Sequence, residues 1–460
     1  MRQIDIQKMS SGAVFNRFHG LVLLSCVLII IFDGYDLAVA GIALPYIMKG
    51  MAVDATHAGM MVSAALFGMM FGNIFFGTLA DRIGRPRVVA LCIALFSLFT
   101  AAAGLAKDPY SFSALRFVAG IGIGGVMPNV VAQMTEYSPQ RIRSTLTTLM
   151  YSGYALGGVL AALLGKSLIE AYGWPSVFVV AGLPVLLIPF TLRSFPESIP
   201  FLLKRGRVDE VQRILSRIDP TYRPKLDDRF ELPDVDQVTD ARIGHLFQEG
   251  RGFSTAMFWI AFALCLFMVY GLSSWLVKLM ASAGYSLGSA LTFVVVLNLG
   301  ATVGAIAGGW LADRLNIKFV LIGMYALAAV SITLLGVRMP TPALYVFVAL
   351  AGASTIGTQI VNLAYTGLYY PAPIRSTGIG WALGVGRTGA ILAPIVIGSL
   401  VGMALPLQWN FMAIALPALL AAIAISMVDR LHGDVATHHP ATTDQIGVPP
   451  PESKPLVTRV

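Results

Sequence analysis

Two carboxylates three residues apart, Asp33 and Asp36, interrupt the apolar stretch "IIIFDGYDLAVAG". A charged side chain at the centre of a bilayer costs about 2.5 to 3.5 kcal/mol on insertion scales, so a spanning segment keeps two of them only for a reason. Their spacing puts both on one helical face, which should point into the bundle or a wet cavity. Two arginines supply the opposite charge: Arg116 in "LRFVAGIGIGGVMPN" and Arg387 in "GVGRTGAILAP". Arg116 lies about two turns inside its span, on the stripe of Gly120 and Gly124, at a depth comparable to Asp36 if the first and fourth spans run in opposite directions. A pairing of Asp36 with Arg116 is therefore expected, against the alternative that Arg116 snorkels outward.

Burial raises a carboxylate pKa and a nearby arginine lowers it, so a site that exchanges one influence for the other can take up and release a proton. No other carboxylate lies deep, and all six histidines fall outside the spans or at their edges, which leaves Asp33 and Asp36 as the proton carriers. A guanidinium meets a carboxylate with two parallel hydrogen bonds, so Arg116 and Arg387, one per half, suit an anionic solute. The competing reading is a purely structural ion-pair set, which apolar packing would replace at lower cost. Tyr35, Tyr151, Tyr154, Tyr270, Trp275 and Trp381 are candidates to flank a ring, and Asn298, Thr358, Gln359 and Asn362 are candidate polar contacts. Packing, interfacial anchoring and interhelical hydrogen bonds are the plainer roles for such residues.

The elements that must position these groups are membrane helices. Of 460 residues, 56% are hydrophobic and 12% charged, with a mean hydropathy of +0.75, whereas soluble domains carry about 25% charged residues. Apolar stretches long enough to cross a core of about 30 Å recur at 20–44, 58–80, 88–106, 110–133, 144–168 and 174–195, then at 254–281, 286–312, 317–337, 342–364, 376–402 and 407–428. This predicts an all-α membrane protein of twelve transmembrane helices in two parallel six-helix bundles. The first apolar run is too long for a cleavable signal peptide, and Ala38 and Ala40 only coincide with a cleavage pattern. Cys26, Cys92 and Cys265 fall inside spans without paired spacing and read as small buried hydrophobes.

The net charge of +8 is unevenly placed. Lys and Arg gather near both termini and in alternate loops, with eleven between Arg193 and Arg251, while the remaining loops hold only Lys49, Lys107, Lys166, Lys278 and Arg338. The positive-inside rule then puts both termini in the cytoplasm of a cell with this chain in its inner (plasma) membrane.

Two tetrapeptides repeat at one offset: "LADR" at 79–82 and 311–314, and "IRST" at 142–145 and 374–377, each 232 residues apart. A shared offset argues for a duplicated six-helix unit, and an even number of helices makes the copies parallel, as in secondary transporters. The expected domains are a first bundle at 1–195, a cytoplasmic linker at 196–252, a second bundle at 253–430 and a disordered tail at 431–460. Within the linker, Val208, Val211, Leu215 and Ile218 share one face of a short amphipathic helix at the cytoplasmic surface. His438 and His439 in the tail read as solvated, and no metal site is expected.

Gly120, Gly122 and Gly125 satisfy G-x-G-x-x-G, but no strand precedes them, so they read as close helix packing and not as a dinucleotide loop. The junction "GTLADRIGRPR" resembles the signature of the major facilitator superfamily, and "GGWLADRLNIK" repeats it without the trailing Gly-Arg. The resemblance implies a cytoplasmic gate built on Gly77, Asp81, Arg82, Gly84 and Arg85, with Arg143, and on Asp313, Arg314 and Arg375 in the second half. Asp81 would pair with arginines or cap a helix, and Gly77 and Gly84 would let backbones approach.

With "FDGYDLAVAG", "RFVAGIGIGGVMPN", "EYSPQRIRST" and "GRTGAILAP", residues 15–430 resemble the aromatic acid:proton symporter family of that superfamily, and most closely its benzoate-transporting members. That resemblance implies that Asp33 and Asp36 are required for transport and carries the family's arginines onto Arg116 and Arg387. "PESIPFLLKRGR" also resembles the sugar-porter pattern, but a neutral sugar gives no electrostatic reason for two buried arginines. The expected activity is proton-coupled import of an aromatic monocarboxylate, benzoate first, by alternating access. Tyr35, Tyr154, Trp275, Asn298, Gln359 and Trp381 are expected to join the arginines around the solute. Alternatives are a hydroxybenzoate or vanillate carrier, a sugar or other metabolite symporter, a drug exporter, and a solute sensor without transport. No H-E-x-x-H, G-x-S-x-G or cofactor loop supports an enzyme, so no cofactor is expected beyond a proton gradient, and no nucleic-acid partner. The chain is expected to act as a monomer among membrane lipids.

Overall fold

The computed structural model describes residues 2–225, 228–231 and 243–429. The expected tail at 431–460, with His438 and His439, lies outside the described residues, as does the side chain of Asp81. Among the described residues, twelve helices are long and apolar enough to cross a membrane. In chain order they are α1 (Arg17–Gly50), α2 (Ala55–Ile83), α3 (Arg85–Ala103), α4 (Pro109–Tyr137), α5 (Arg143–Tyr172) and α6 (Pro175–Ser194), then α7 (Gly252–Ser282), α8 (Leu287–Arg314), α9 (Ile317–Leu335), α10 (Thr341–Tyr369), α11 (Ala372–Gly402) and α12 (Leu407–Met427).

Polar residues start several of them. Asn16 caps α1 through the amides of Phe18 and His19, Asp108 caps α4 through Tyr110 and Ser111, and Ser286 and Asn316 cap α8 and α9. At 34 residues, α1 is about 51 Å long at 1.5 Å per residue and outruns the hydrocarbon at both ends. The sixth span is broken: a 3₁₀ turn at Leu183–Leu187 separates Pro175–Val180 from Ile188–Ser194. Pro184 and Pro189 each remove a backbone donor, which interrupts a regular ladder.

The duplication read from two tetrapeptides governs the packing. A side chain at Gly68 would collide with the carbonyl oxygen of Phe117, and one at Gly300 with that of Ala349. Gly120 meets Ala65 as Gly352 meets Leu297, and Gly157 meets Ile31 as Gly389 meets Ala263. In every pair both partners are shifted by 232 residues. Lipid tails give apolar side chains little reason to associate, so close backbone contact through small residues is what holds such helices. Gly120, Gly122 and Gly125 belong to this packing: Gly122 and Gly125 lie against α3 at Cys92. Arg143 and Arg375, also 232 apart, each bond a carbonyl five residues earlier, on Ser138 and Tyr370.

The copies meet along α2 with α11, α5 with α8 and α1 with α7. The contacts are closest near one end, where Gly59 fits against Pro394, Gly398 against Ala55 and Trp275, and Gly41 against Ser273. The opposite end carries the N-terminus and the linker, and here the fold departs from an all-helical one. Arg2–Asp5 (β1) pairs in parallel with Asp228–Glu231 (β2), in the register Arg2 to Asp228. Four residues joined to a partner more than 200 positions away leave no periodic signal in the sequence. The linker also forms the helix Val208–Ile218. Its buried face is Val211, Ile214, Leu215 and Ile218, not the expected set, because Val208 opens the helix and is 39% exposed. That face packs in one cluster with Ile4, Ile6, Phe195 and Leu202.

Because Gly389 has no room for a side chain and Gly77 has nothing within 4 Å of an added one, Gly389→Val should lose the monodisperse, heat-stable protein in detergent. Gly77→Ala should melt like the parent within a few degrees.

Candidate functional site

The buried ion pair lies in the first copy. Asp36 and Arg116 form an ion pair of 2.9 Å between α1 and α4, with both side chains buried. The same nitrogen of Arg116, Nη1, donates to Thr100 Oγ1 on α3 at 2.9 Å, and Nη2 donates to the main-chain oxygen of Asp36 at 3.2 Å. Asp33 is fully buried and, among the described residues, neither of its carboxylate oxygens has a hydrogen-bond partner; Asp36 Oδ1 and Arg116 Nε are likewise unpaired. The charges that bear on Asp33 are those of Asp36 and Arg387.

The repeat shows what the scaffold itself demands at these places. At the offset of 232, Asp33, Asp36, Thr100 and Arg116 correspond to Cys265, Met268, Ile332 and Val348, all four buried. The second copy packs the same helices with apolar residues. Arg387 in turn corresponds to Ala155. At each of these positions one copy packs without the charge, and a buried ion pair is a poor source of stability compared with apolar packing.

Between the copies lies a cavity of about 40 Å³, room for a few water molecules. Its polar wall is Arg116, Tyr154, Tyr270, Ser273, Ser274 and Asn298, and Leu37, Val62, Leu66, Leu276, Val294 and Leu297 supply much of the rest. Arg387 is half-buried and reaches this wall indirectly, by donating to the Tyr270 hydroxyl at 3.1 Å. Asp33 and Asp36 are not on the wall; Asp36 is tied to it through its ion pair with Arg116, which is.

Arg116, Tyr154 and Asn298 are thus brought together, and four other expected contacts are placed elsewhere. Tyr35 turns its hydroxyl to the Val177 carbonyl at 2.9 Å, tying α1 to α6. The indole of Trp275 donates to the Pro394 carbonyl at 3.1 Å, tying α7 to α11. Trp381 is 44% exposed and stacks on Trp259, and Gln359 is half-buried on α10 outside the cavity wall. Sequence reasoning overlooked Thr100, Ser273, Ser274 and Gly158. Comparing the two copies position by position would have flagged Thr100, since a hydroxyl replaces Ile332 there.

At the linker end two of the expected gate residues, Gly84 and Arg85, join a cluster within the first copy. Gly84 holds a positive φ of 98° between α2 and α3, a conformation suited to glycine, and an added side chain would strike the Glu197 carboxylate. Arg85 pairs with Glu136 on α4 and its amide donates to Glu197 at 2.8 Å. Glu136 also accepts from the Ile199 amide at 2.9 Å, and Ser10 bonds the Glu136 carbonyl at 2.8 Å. Burial pushes the Glu197 carboxyl above the ordinary glutamate range, opposed by the hydrogen bonds from the Arg85 and Ser198 amides and by the arginine charges. Glu136 and Glu197 stand in the quoted motifs "EYSPQRIRST" and "PESIPFLLKRGR" without having been singled out. The expected backbone approach at Gly77 is not made, since nothing lies within 4 Å of an added side chain. Arg82 is exposed and accepts a bond from Arg205 at its carbonyl; in the second half Asp313 and Arg314 are exposed, Arg314 lying 4.1 Å from the Trp310 ring.

Twelve spans in two repeated halves around a small polar cavity define the class of membrane-embedded solute carriers. A family model described as Major Facilitator Superfamily matches residues 26–358 and 259–454. The chain is 45% identical over 434 residues to the benzoate transport protein of Acinetobacter baylyi, covering 93% of each, and 33% identical to the gallate transporter of Pseudomonas putida, covering 92% of this chain and 94% of the relative. Its fold matches the crystal structure of a bacterial homologue of the human lysosomal transporter Spinster, in an inward-facing and occupied conformation, with a TM-score of 0.70 at 18% identity over 90% of this chain and 97% of that one. The chain belongs to the major facilitator superfamily, in its aromatic acid transporter family, and is a multi-pass membrane protein and not an enzyme.

Removing one member of a buried ion pair typically costs about 3–5 kcal/mol, because the other charge is stranded. Arg116→Val should show that loss in thermal unfolding, and Asp36→Met with Arg116→Val, the residues of the second copy, should recover most of it while transport stays absent.

Proposed function

We propose that this chain imports an aromatic monocarboxylate, benzoate foremost, together with one or more protons, by alternating access to the central cavity. The observation that carries the reading is the confinement of Asp33, Asp36 and Arg116 to one of two otherwise matching copies. A charge cluster that the fold does not need, next to a cavity between the moving halves, is retained for what it does. The similarity to a benzoate transport protein over nearly the whole chain supports the substrate class.

An incoming carboxylate competes with Asp36 for Arg116. A buried carboxylate without its counter-ion is costly, and protonation removes that cost. Anion and proton then enter the site as a neutral set, and Asp33, without hydrogen-bond partners among the described residues, is the second place for a proton. Arg387 joins from the second half through Tyr270. The basic linker end faces the cytoplasm by the positive-inside rule, so the end closed by Gly59, Gly398 and Trp275 faces outward. The cluster of Arg85, Glu136 and Glu197 serves as the cytoplasmic gate, with Asp81, Arg143, Asp313, Arg314 and Arg375 as its further members. A sugar carrier is disfavoured by the guanidiniums, which a neutral solute does not use.

In proteoliposomes, an inward acid gradient should drive benzoate accumulation, and Asp33→Asn or Asp36→Asn should abolish it; accumulation equal to the parent would refute proton coupling at that residue. Arg387→Gln should weaken benzoate binding at least tenfold more than binding of benzamide. Counterflow of labelled benzoate separates a carrier from a sensor, which would bind without flux.

A further inference from the structure

We propose that Asn298 is a specificity-determining residue, an acceptor that reads a hydroxyl on the edge of the substrate ring away from its carboxylate. This rests on the aromatic-acid reading above and extends it. Asn298 Nδ2 donates to the Val294 carbonyl at 2.9 Å, four residues back on α8. That bond uses one of the two N–H donors of the amide nitrogen, and Oδ1 is left to accept from another donor. The amide lies at the seam between the halves: a side chain built at Gly158, on α5, would meet Asn298 Oδ1 at 2.6 Å and Nδ2 at 2.9 Å. Both residues line the cavity. The glycine leaves the oxygen its space.

An acceptor on a cavity wall discriminates by sign. It repels a carboxylate, which is held by guanidinium on the first-half wall at Arg116, and it attracts an O–H donor. In a state opened enough to admit it, a ring anchored at Arg116 would have apolar side chains such as Leu37, Leu66 and Leu297 around it and Asn298 on the second-half wall. The repeat again separates need from use. The position 232 residues earlier is Leu66, which lines the same cavity from α2, and Val62 and Val294 match in the same way. A leucine therefore satisfies the packing at this place, and the asparagine adds a hydrogen-bonding group to a wall that its counterpart leaves apolar.

The test is inhibition of labelled benzoate uptake in proteoliposomes by 3- and 4-hydroxybenzoate and by the methyl-substituted acids, with wild type and Asn298→Leu. A hydrogen bond of ordinary strength corresponds to about fivefold. Wild type should bind at least one hydroxybenzoate about fivefold more tightly than the methylbenzoate of the same geometry. In Asn298→Leu that preference should vanish, read as the ratio of the hydroxyl to the methyl inhibition constants at whatever level of benzoate uptake the variant retains. An unchanged hydroxyl-to-methyl ratio, with or without a fall in uptake, overturns the proposal. If the variant does not reach the membrane, the wild-type ratio decides alone: no preference for either hydroxyl isomer overturns it. Failure of the wild type to take up benzoate at all would sink the broader reading instead, an outcome distinct from either ratio.

Discussion

A guanidinium in the middle of a membrane protein has to be satisfied from within the protein, and the contacts of Arg116 set the terms for everything around it. It binds the carboxylate of Asp36, the main-chain oxygen of the same residue and the hydroxyl of Thr100. Two of these three acceptors cannot change charge. The carboxylate can, so protonation or a competing anion acts on one contact while the others keep the arginine in place. Two helices, α1 and α3, supply these acceptors, and the arginine on α4 ties the three together.

Duplication is the second organising fact. Both halves use glycines at matching positions to bring helix backbones together, and the offset of 232 holds for the glycine and for the carbonyl it meets. Function is laid over this common frame asymmetrically. Acids and their arginine are in the first half, and a lone arginine, a tyrosine, two serines and an asparagine face them from the second. The small central cavity is where the two chemistries meet.

Much of this was legible in the sequence. Hydropathy gave the twelve spans, since each must cross the bilayer with its backbone bonded internally, and two tetrapeptides gave the repeat. The depth argument for antiparallel spans put Asp36 beside Arg116, and the structure has that ion pair. Other features were hidden for physical reasons. The pairing of Arg2–Asp5 with Asp228–Glu231 depends on a tertiary approach that no local pattern encodes. Aromatic residues carry little directional information, so Tyr35 and Trp275, expected around a ring, instead bond carbonyls of neighbouring helices. At the linker end the side chain of Asp81 lies outside the description, and the described partners of the Arg85 segment are Glu136 and Glu197, which no charge-spacing rule would select.

The seam at the closed end has a mechanical consequence. Gly59 and Gly398 put bare backbone against backbone across α2 and α11, with the hydroxyl of Ser63 bonded to the Ile391 carbonyl at 2.7 Å beside them. Side chains that interlock must be pulled out of their sockets before two surfaces can part, and each withdrawal adds to the barrier. Smooth faces separate like sheets of glass with a single catch between them. A joint built this way can be tight when shut and still open within the time of one turnover.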